Sequence, residues 1–182
     1  RGLGDVYKIQ SKNTKKLKNP KNILGGKGFN LAEMGKKGFP VPSGFTISTE
    51  VCDIFYRNNK KLNNNILSQI KKELKNIERD IGKKFGNLKD PLLLSVRSGA
   101  RVSMPGMMDT ILNLGLNDKT VEALAKQTKN KRFAKDSYRR FIQMYSSVVL
   151  KVDSYKFEDL IENYKLTKGV LLDTDLSSED WD

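Results

Sequence analysis

The stretch from Leu92 to Thr110 reads LLLSVRSGARVSMPGMMDT, and it constrains the fold of this chain more than any other. It opens on mostly apolar residues over 92–96, a pattern typical of a buried strand. Small residues, glycine and proline then replace them, and such a run forms a loop. Arg97 and Arg101 lie in this loop, and arginine presents a planar fork of donors that suits phosphate oxygens. The stretch therefore predicts a strand that leads into an anion-binding loop.

A second glycine cluster, GGKG at residues 25–28, precedes a predicted short helix that begins at Gly28 and ends at Gly38. Backbone N–H groups at the start of a helix and the ammonium of Lys27 can together hold a phosphate. The GxxxxGK[ST] spacing of a Walker A loop is absent, so a glycine turn beside a surface lysine is an equal alternative. The presence of a second candidate phosphate-binding segment, the loop with Arg97 and Arg101, favours the interpretation that GGKG also binds phosphate.

Each of these candidate ligands has a structural alternative. Arg97 could pair with a carboxylate at the end of its strand, and spacing alone does not separate this role from phosphate binding. Asp90, Asp109 and Asp118 are loop carboxylates that could hold a metal, although turn-forming and capping roles are more common for such residues. We therefore assign no metal ligand within this chain.

The counts of cysteine and histidine exclude several kinds of chemistry. One cysteine among 182 residues rules out an internal disulfide framework and fits a reducing compartment. No histidine is present, which excludes histidine-ligated metals, Ser-His and Cys-His nucleophiles and a phosphohistidine formed within this chain. Catalysis here would have to use lysine, arginine, carboxylates or backbone dipoles.

The formal net charge of +13 raises the alternative of a basic nucleic-acid-binding module. Its lysines are spread over many segments instead of forming one stripe, and runs such as 71–75 are typical of solvated helix faces. Nucleic acid is therefore not the expected partner. No apolar run reaches the roughly 20 residues that span a bilayer, so we expect no membrane insertion and a cytoplasmic or organellar location.

The remaining pattern predicts an α+β fold in two parts. Residues 1–116 hold short strands and the helix of periodic apolar positions from Ile66 to Ile81, together with both candidate site segments. Residues 117–182 carry three runs at helical spacing and are expected to form a helical subdomain. A helix start signal at 177–180 comes just before the last residue, so we expect the chain to be a fragment.

Four segments in order resemble pyruvate, phosphate dikinase, a family of ATP-dependent phosphotransferases. They read ILGGKGFNLAEM, GFPVPSGFTISTE, LLLSVRSGARVSMPGMMDTILNLGLND and RFAKDSYRRFIQMYSSVV. The resemblance runs from about residue 23 to residue 175. Phosphoenolpyruvate synthase (pyruvate, water dikinase) and the glucan, water dikinases have a similar lysine loop and VRS strand, and the former is the alternative family. The continuation SGARVSMPGMMDT resembles the pyruvate, phosphate dikinase version.

This resemblance implies part of a nucleotide-binding domain of ATP-grasp type. In the family, ATP, phosphate and pyruvate become AMP, diphosphate and phosphoenolpyruvate. The phosphoryl group passes through a histidine on a separate swivelling domain to a distant barrel domain that binds pyruvate. The implied partners are therefore ATP and these further domains, in a full-length protein expected to be a homodimer.

The resemblance also assigns roles to residues of this sequence. Lys27 resembles the lysine that holds the ATP phosphates, and Arg97 resembles the arginine that stabilises the transferred charge. The resemblance places the family's Mg²⁺-binding carboxylates beyond the end of this chain. We therefore expect half of an ATP site, which is inactive alone and in which ATP binding is weak or absent. The loop expected to close over the phosphates supplies Arg101, Ser103, Gly106, Met108 and Thr110.

Overall fold

A computed structural model describes residues 4–9, 17–99 and 109–182 of the chain. These ranges contain six helices and four short strands, and the strands form two separate antiparallel pairs, β1 with β2 and β3 with β4. The α+β class predicted from the sequence is therefore confirmed. In chain order the elements are β1 (Val6–Lys8), α1 (Pro20–Lys36), β2 (Phe45–Ile47), α2 (Thr49–Arg57), α3 (Asn64–Ile81), β3 (Leu94–Arg97), β4 (Thr110–Leu114), α4 (Thr120–Thr128), α5 (Lys131–Val148) and α6 (Ser154–Lys168), followed by a 3₁₀ turn at Asp173–Asp175.

The described residues divide into two compact units. The first contains the residues up to Gly82 together with 98–99, and the second contains Lys83–Arg97 and Asp109–Asp182. The β3–β4 pair thus belongs with the C-terminal helices. The domain boundary that the sequence predicts between residues 116 and 117 stays a prediction.

The first unit is built on α3, which carries the apolar face predicted from 66 to 81. Ile66 and Ile77 are buried, and the neighbouring lysines of this helix are exposed as predicted. The Gln69 side chain accepts a hydrogen bond from the Val6 N–H at 3.0 Å, which ties β1 to this helix. Helix α1 begins at Pro20 and is interrupted at Gly25, so the helix predicted from Gly28 corresponds to its second segment, and the first segment was not predicted. Proline suits the first turn of a helix because its fixed φ is helical and its missing N–H would have no partner there.

The second unit pairs β3 and β4 with a register shift between Leu94 and Val96. Asn113, in the bulged part of β4, has φ 59°, a left-handed value that asparagine tolerates better than most residues. The prediction of a buried strand over 92–96 was wrong in part. Leu92 is buried but precedes the strand, whereas Val96 is 45% exposed. A strand of a two-stranded sheet pairs on one edge, so fewer of its side chains are covered than in a larger sheet.

The three helices predicted after residue 117 are confirmed as α4, α5 and α6. The last residues of the chain pack on α5, where the Arg139 guanidinium lies 4.5 Å from the centre of the Trp181 ring. The predicted helix start is also present as a local motif. The Ser177 N–H donates to the Asp180 carboxylate at 2.9 Å, and the Asp180 N–H donates to the Ser177 hydroxyl at 3.3 Å. Across the described ranges, no helix combines the length and apolar character needed to cross a membrane.

Candidate functional site

The GGKG cluster lies inside α1, where Gly25 breaks the helix into two segments. Gly25 has φ 68° and ψ 169°, a backbone region that is essentially restricted to glycine. The first amides of a helical segment have no acceptor within that segment, and the helix dipole makes its start positive. Lys27 lies two residues after the break and is half-buried. The break therefore places a lysine and the positive start of a helix at one point.

Gly28 has a different role, because it lets α1 lie directly against β2. A Cβ atom on Gly28 would stand 2.8 Å from Thr46 Cγ2 and 2.9 Å from Thr46 Oγ1. Real Cβ atoms essentially never approach other atoms this closely, so a larger residue at this position would require the Thr46 side chain, the helix or the strand to shift. The last glycine of GGKG therefore has a packing role in the first unit.

Another contact holds the first segment of α1. The Thr49 hydroxyl at the start of α2 donates to the Asn22 carbonyl at 2.7 Å. Sequence reasoning missed both Thr46 and Thr49 as parts of this region. No spacing rule could have found them, because each acts on α1 through a contact that only the fold creates.

Arg97 is the last residue of β3, and its register partner on β4 is Thr110. The Arg97 side chain is exposed, and no ion pair among the described residues includes it. The alternative of pairing with a carboxylate therefore finds no support in the part of the chain that the structure describes.

The predicted site residues fall in three groups. Lys27 belongs to the first unit, while Arg97 and Thr110 are neighbours in the second. Only the latter pair is brought together within one unit. The remaining candidates lie outside the described residues, and their roles stay predictions: Arg101, Ser103, Gly106 and Met108.

The loop carboxylates have structural partners. Asp90 accepts hydrogen bonds from Lys83 Nζ and from Gln127 Nε2, both at 2.7 Å, and these bonds hold its pKa below the usual range. The Tyr138 hydroxyl donates a hydrogen bond to Asp118 Oδ1, with 2.7 Å between the two oxygens. Burial, reinforced by this carboxylate, raises the pKa of Tyr138 to about 12. Within the described ranges no three side chains of the metal-ligating types gather at one place.

An ion pair links the elements of the first unit. Lys8 Nζ lies 2.6 Å from Asp80 Oδ2, and the Ser43 hydroxyl donates to the same oxygen at 2.9 Å. The hydrogen bonds from Lys8 and Ser43 lower the pKa of the Asp80 carboxyl. The pair joins β1 and the proline-containing loop before β2 to the end of α3.

This α+β arrangement, with a broken Gly-Lys-Gly helix and a strand-end arginine, coincides with clear similarity to known proteins. Residues 21–80 and 62–143 match the family described as pyruvate phosphate dikinase, AMP/ATP-binding domain. The chain is 55% identical to the pyruvate, phosphate dikinase of Clostridium symbiosum over 175 residues, which cover 96% of this chain and 20% of that protein. It is 54% identical to the Entamoeba histolytica protein of that name over 160 residues, covering 88% of this chain and 18% of the relative.

A plant relative shows the same similarity. The chain is 51% identical over 163 residues to the chloroplastic pyruvate, phosphate dikinase of Mesembryanthemum crystallinum, covering 90% of this chain and 17% of the relative. The chain therefore belongs to the pyruvate phosphate dikinase AMP/ATP-binding domain family. It spans about a fifth of the length of the curated relatives it matches.

Proposed function

We propose that this chain supplies part of the ATP site of a pyruvate, phosphate dikinase. The observation that carries the proposal is the break at Gly25, which places Lys27 at the start of a helical segment in a member of an AMP/ATP-binding family. An ammonium group and helix-start amides attract the same ligand, an anion such as a phosphate. In this proposal Lys27 binds the ATP phosphates.

Arg97 has a separate role in the proposed site. Its guanidinium stabilises negative charge on the phosphoryl group as that group is transferred, which is the main demand of phosphoryl-transfer chemistry. Thr110, its strand neighbour, lies at the end of the loop that closes over the phosphates. We propose that the two units belong to an ATP-grasp fold, with Arg101, Ser103, Gly106 and Met108 in that loop.

The complete reaction requires groups that this chain lacks. ATP, phosphate and pyruvate would become AMP, diphosphate and phosphoenolpyruvate, through a phosphohistidine. With no histidine in its sequence, this chain would receive that group, and the pyruvate site, from other domains of a longer protein. We therefore propose that the chain alone is inactive and binds ATP weakly. The longer protein would be a homodimer located in the cytoplasm or in an organelle.

The described residues do not fit a magnesium site of their own. Mg²⁺ favours carboxylate oxygens, and the carboxylates of Asp90 and Asp118 are already engaged by side chains of this chain. In the parts of the chain with described structure, no group of three such ligands is present. We propose that the carboxylates that hold Mg²⁺ lie elsewhere in the longer protein.

The site assignment can be tested in the Clostridium symbiosum relative, with this segment in place of its own. Lys27→Ala and Arg97→Ala should each slow AMP formation, because removing one charge-stabilising group costs about 2–4 kcal/mol of transition-state stabilisation. That cost corresponds to roughly 30- to 800-fold in rate. Lys37→Ala, just after α1, is the matched control and should leave the rate unchanged. AMP formation at an unaltered rate in the Lys27/Arg97 double variant would refute the assignment.

A further inference from the structure

The junction between β2 and α2, residues 46–49, contacts α1 on both sides of the Gly25 break. Before the break, the Thr49 hydroxyl donates to the Asn22 carbonyl at 2.7 Å. After the break, the Thr46 side chain lies so close to Gly28 that no Cβ fits between them. One short segment therefore holds both halves of the broken helix.

This junction is itself firmly anchored. Ser48 is 2% exposed, its N–H donates to the Asp5 carbonyl at 3.0 Å, and its hydroxyl accepts from the Asp5 N–H at 3.3 Å. Thr46 pairs with Tyr7 in the β1–β2 register. The contacts on α1 thus come from a segment fixed to the strand beside it, and a fixed segment can hold another in place.

We infer that Thr46 and Thr49 are positioning residues for Lys27. Glycine has the widest range of allowed backbone conformations of any residue, so Gly25 itself does not fix the angle between the two helical segments. Thr49 fixes the first segment and Thr46 fixes the second, and together they set that angle. The angle decides where the Lys27 ammonium and the amides after the break lie. The role in nucleotide binding rests on the proposed function, whereas the effect on the backbone does not.

The two contacts differ in kind, which allows selective substitutions. Thr49→Val keeps the branched shape and loses the hydroxyl donor, whereas Thr49→Ser keeps the donor. The chain offers a matched control in α6, where the Thr167 hydroxyl donates to the Asn163 carbonyl at 2.9 Å. Thr167→Val removes the same type of bond in the other unit.

The test measures hydrogen exchange of the amides from 22 to 28 without nucleotide, and ATP affinity by titration followed on the Gly26 and Gly28 amide resonances. Thr49→Val should speed this exchange and weaken ATP binding by about three- to tenfold, the effect of one net hydrogen bond. Thr49→Ser should keep both the exchange rates and the ATP affinity of the parent chain, and Thr167→Val should change neither. Melting of the whole chain, followed in parallel, identifies any general loss of folding.

Three results would overturn the inference, and they differ in what they say of the proposed function. Unchanged exchange over 22–28 in Thr49→Val would show that the junction does not hold α1. Faster exchange with unchanged ATP affinity, while Lys27→Ala weakens binding, would reject positioning and leave the ATP site standing. ATP binding that is absent, or unaffected by Lys27→Ala, would reject the proposed function and with it the role in nucleotide binding.

Discussion

The packing of α1 on β2 predicts the effect of adding one methyl group at Gly28. In Gly28→Ala the new Cβ would meet Thr46 Cγ2 at 2.8 Å and Thr46 Oγ1 at 2.9 Å, with Leu24 Cβ at 3.4 Å. Overpacking of this kind costs about 1–3 kcal/mol. Alanine returns up to about 1 kcal/mol, because it is the better helix former. We therefore expect a net loss of up to about 3 kcal/mol in the unfolding free energy of the first unit.

The same reasoning predicts that a second substitution reverses the sign of this effect. Thr46→Ala removes both atoms that the new methyl group would strike. In that background Gly28→Ala should be neutral or stabilising by up to about 1 kcal/mol, because only the gain in helix propensity remains. The coupling between the two sites should thus be about 1–3 kcal/mol, which a double-mutant cycle measures directly.

Urea unfolding followed by circular dichroism at 222 nm is the appropriate assay, analysed for the two units separately. The single tryptophan, Trp181, lies in the second unit, so its fluorescence reports a transition that Gly28→Ala should leave unchanged. Gly99→Ala is the control, since a Cβ there meets no atom of the described residues within 4 Å. A Gly28→Ala penalty of equal size with and without Thr46→Ala would refute the assignment of the cost to this contact.

Two titrations test the second unit. Hydrogen bonds from Lys168, the Ser177 backbone and Tyr164 hold the pKa of Asp180 below its usual value. The stability that these bonds confer is therefore present above pH 3.8, the pKa of Asp180 in the unfolded chain, and it is lost as the pH falls through the lower pKa of the folded state. Asp180→Asn should flatten the acid dependence of unfolding, monitored by Trp181 fluorescence. An unaltered acid dependence in that variant would contradict this. Absorbance at 295 nm, compared between the parent chain and Tyr138→Phe, should show Tyr138 titrating near pH 12. Asp118→Asn should lower that pKa without abolishing the contribution from burial. A titration of Tyr138 near pH 10 in the parent chain would show that it is not buried as described.

Periodic elements were predictable from the sequence. The apolar spacing from Ile66 to Ile81 predicted α3, and three further periodic runs predicted the C-terminal helices, because such spacing is set by the helix itself. The first segment of α1, from Pro20 to the break at Gly25, was missed, since the glycines of GGKG suggested that the helix begins only at Gly28. The burial of β3 was overestimated, because an apolar run shows that a strand can be buried and not how many partners cover it.

The sequence names candidate site residues by their chemistry and by resemblance, but it does not show how the fold places them. Lys27 and Arg97 were chosen for chemistry that their side chains carry wherever they lie. The break at Gly25 depends on one backbone conformation, and the roles of Thr46 and Thr49 depend on contacts between segments separated in sequence. Such contacts leave no local pattern, so they become visible only when the fold places the segments together.

The most direct test of the proposed ATP site is a ¹H–¹⁵N map of the chain titrated with ATP at physiological salt. We predict that the largest shifts fall on the amides of residues 26–28 and on Arg97 and Thr110, and that Lys27→Ala removes the first group. Shifts confined to the exposed lysines Lys71 and Lys75 of α3, and lost at higher salt, would instead indicate general attraction of an anion to a basic surface. That result would contradict the roles proposed for Lys27 and for Arg97 in binding ATP.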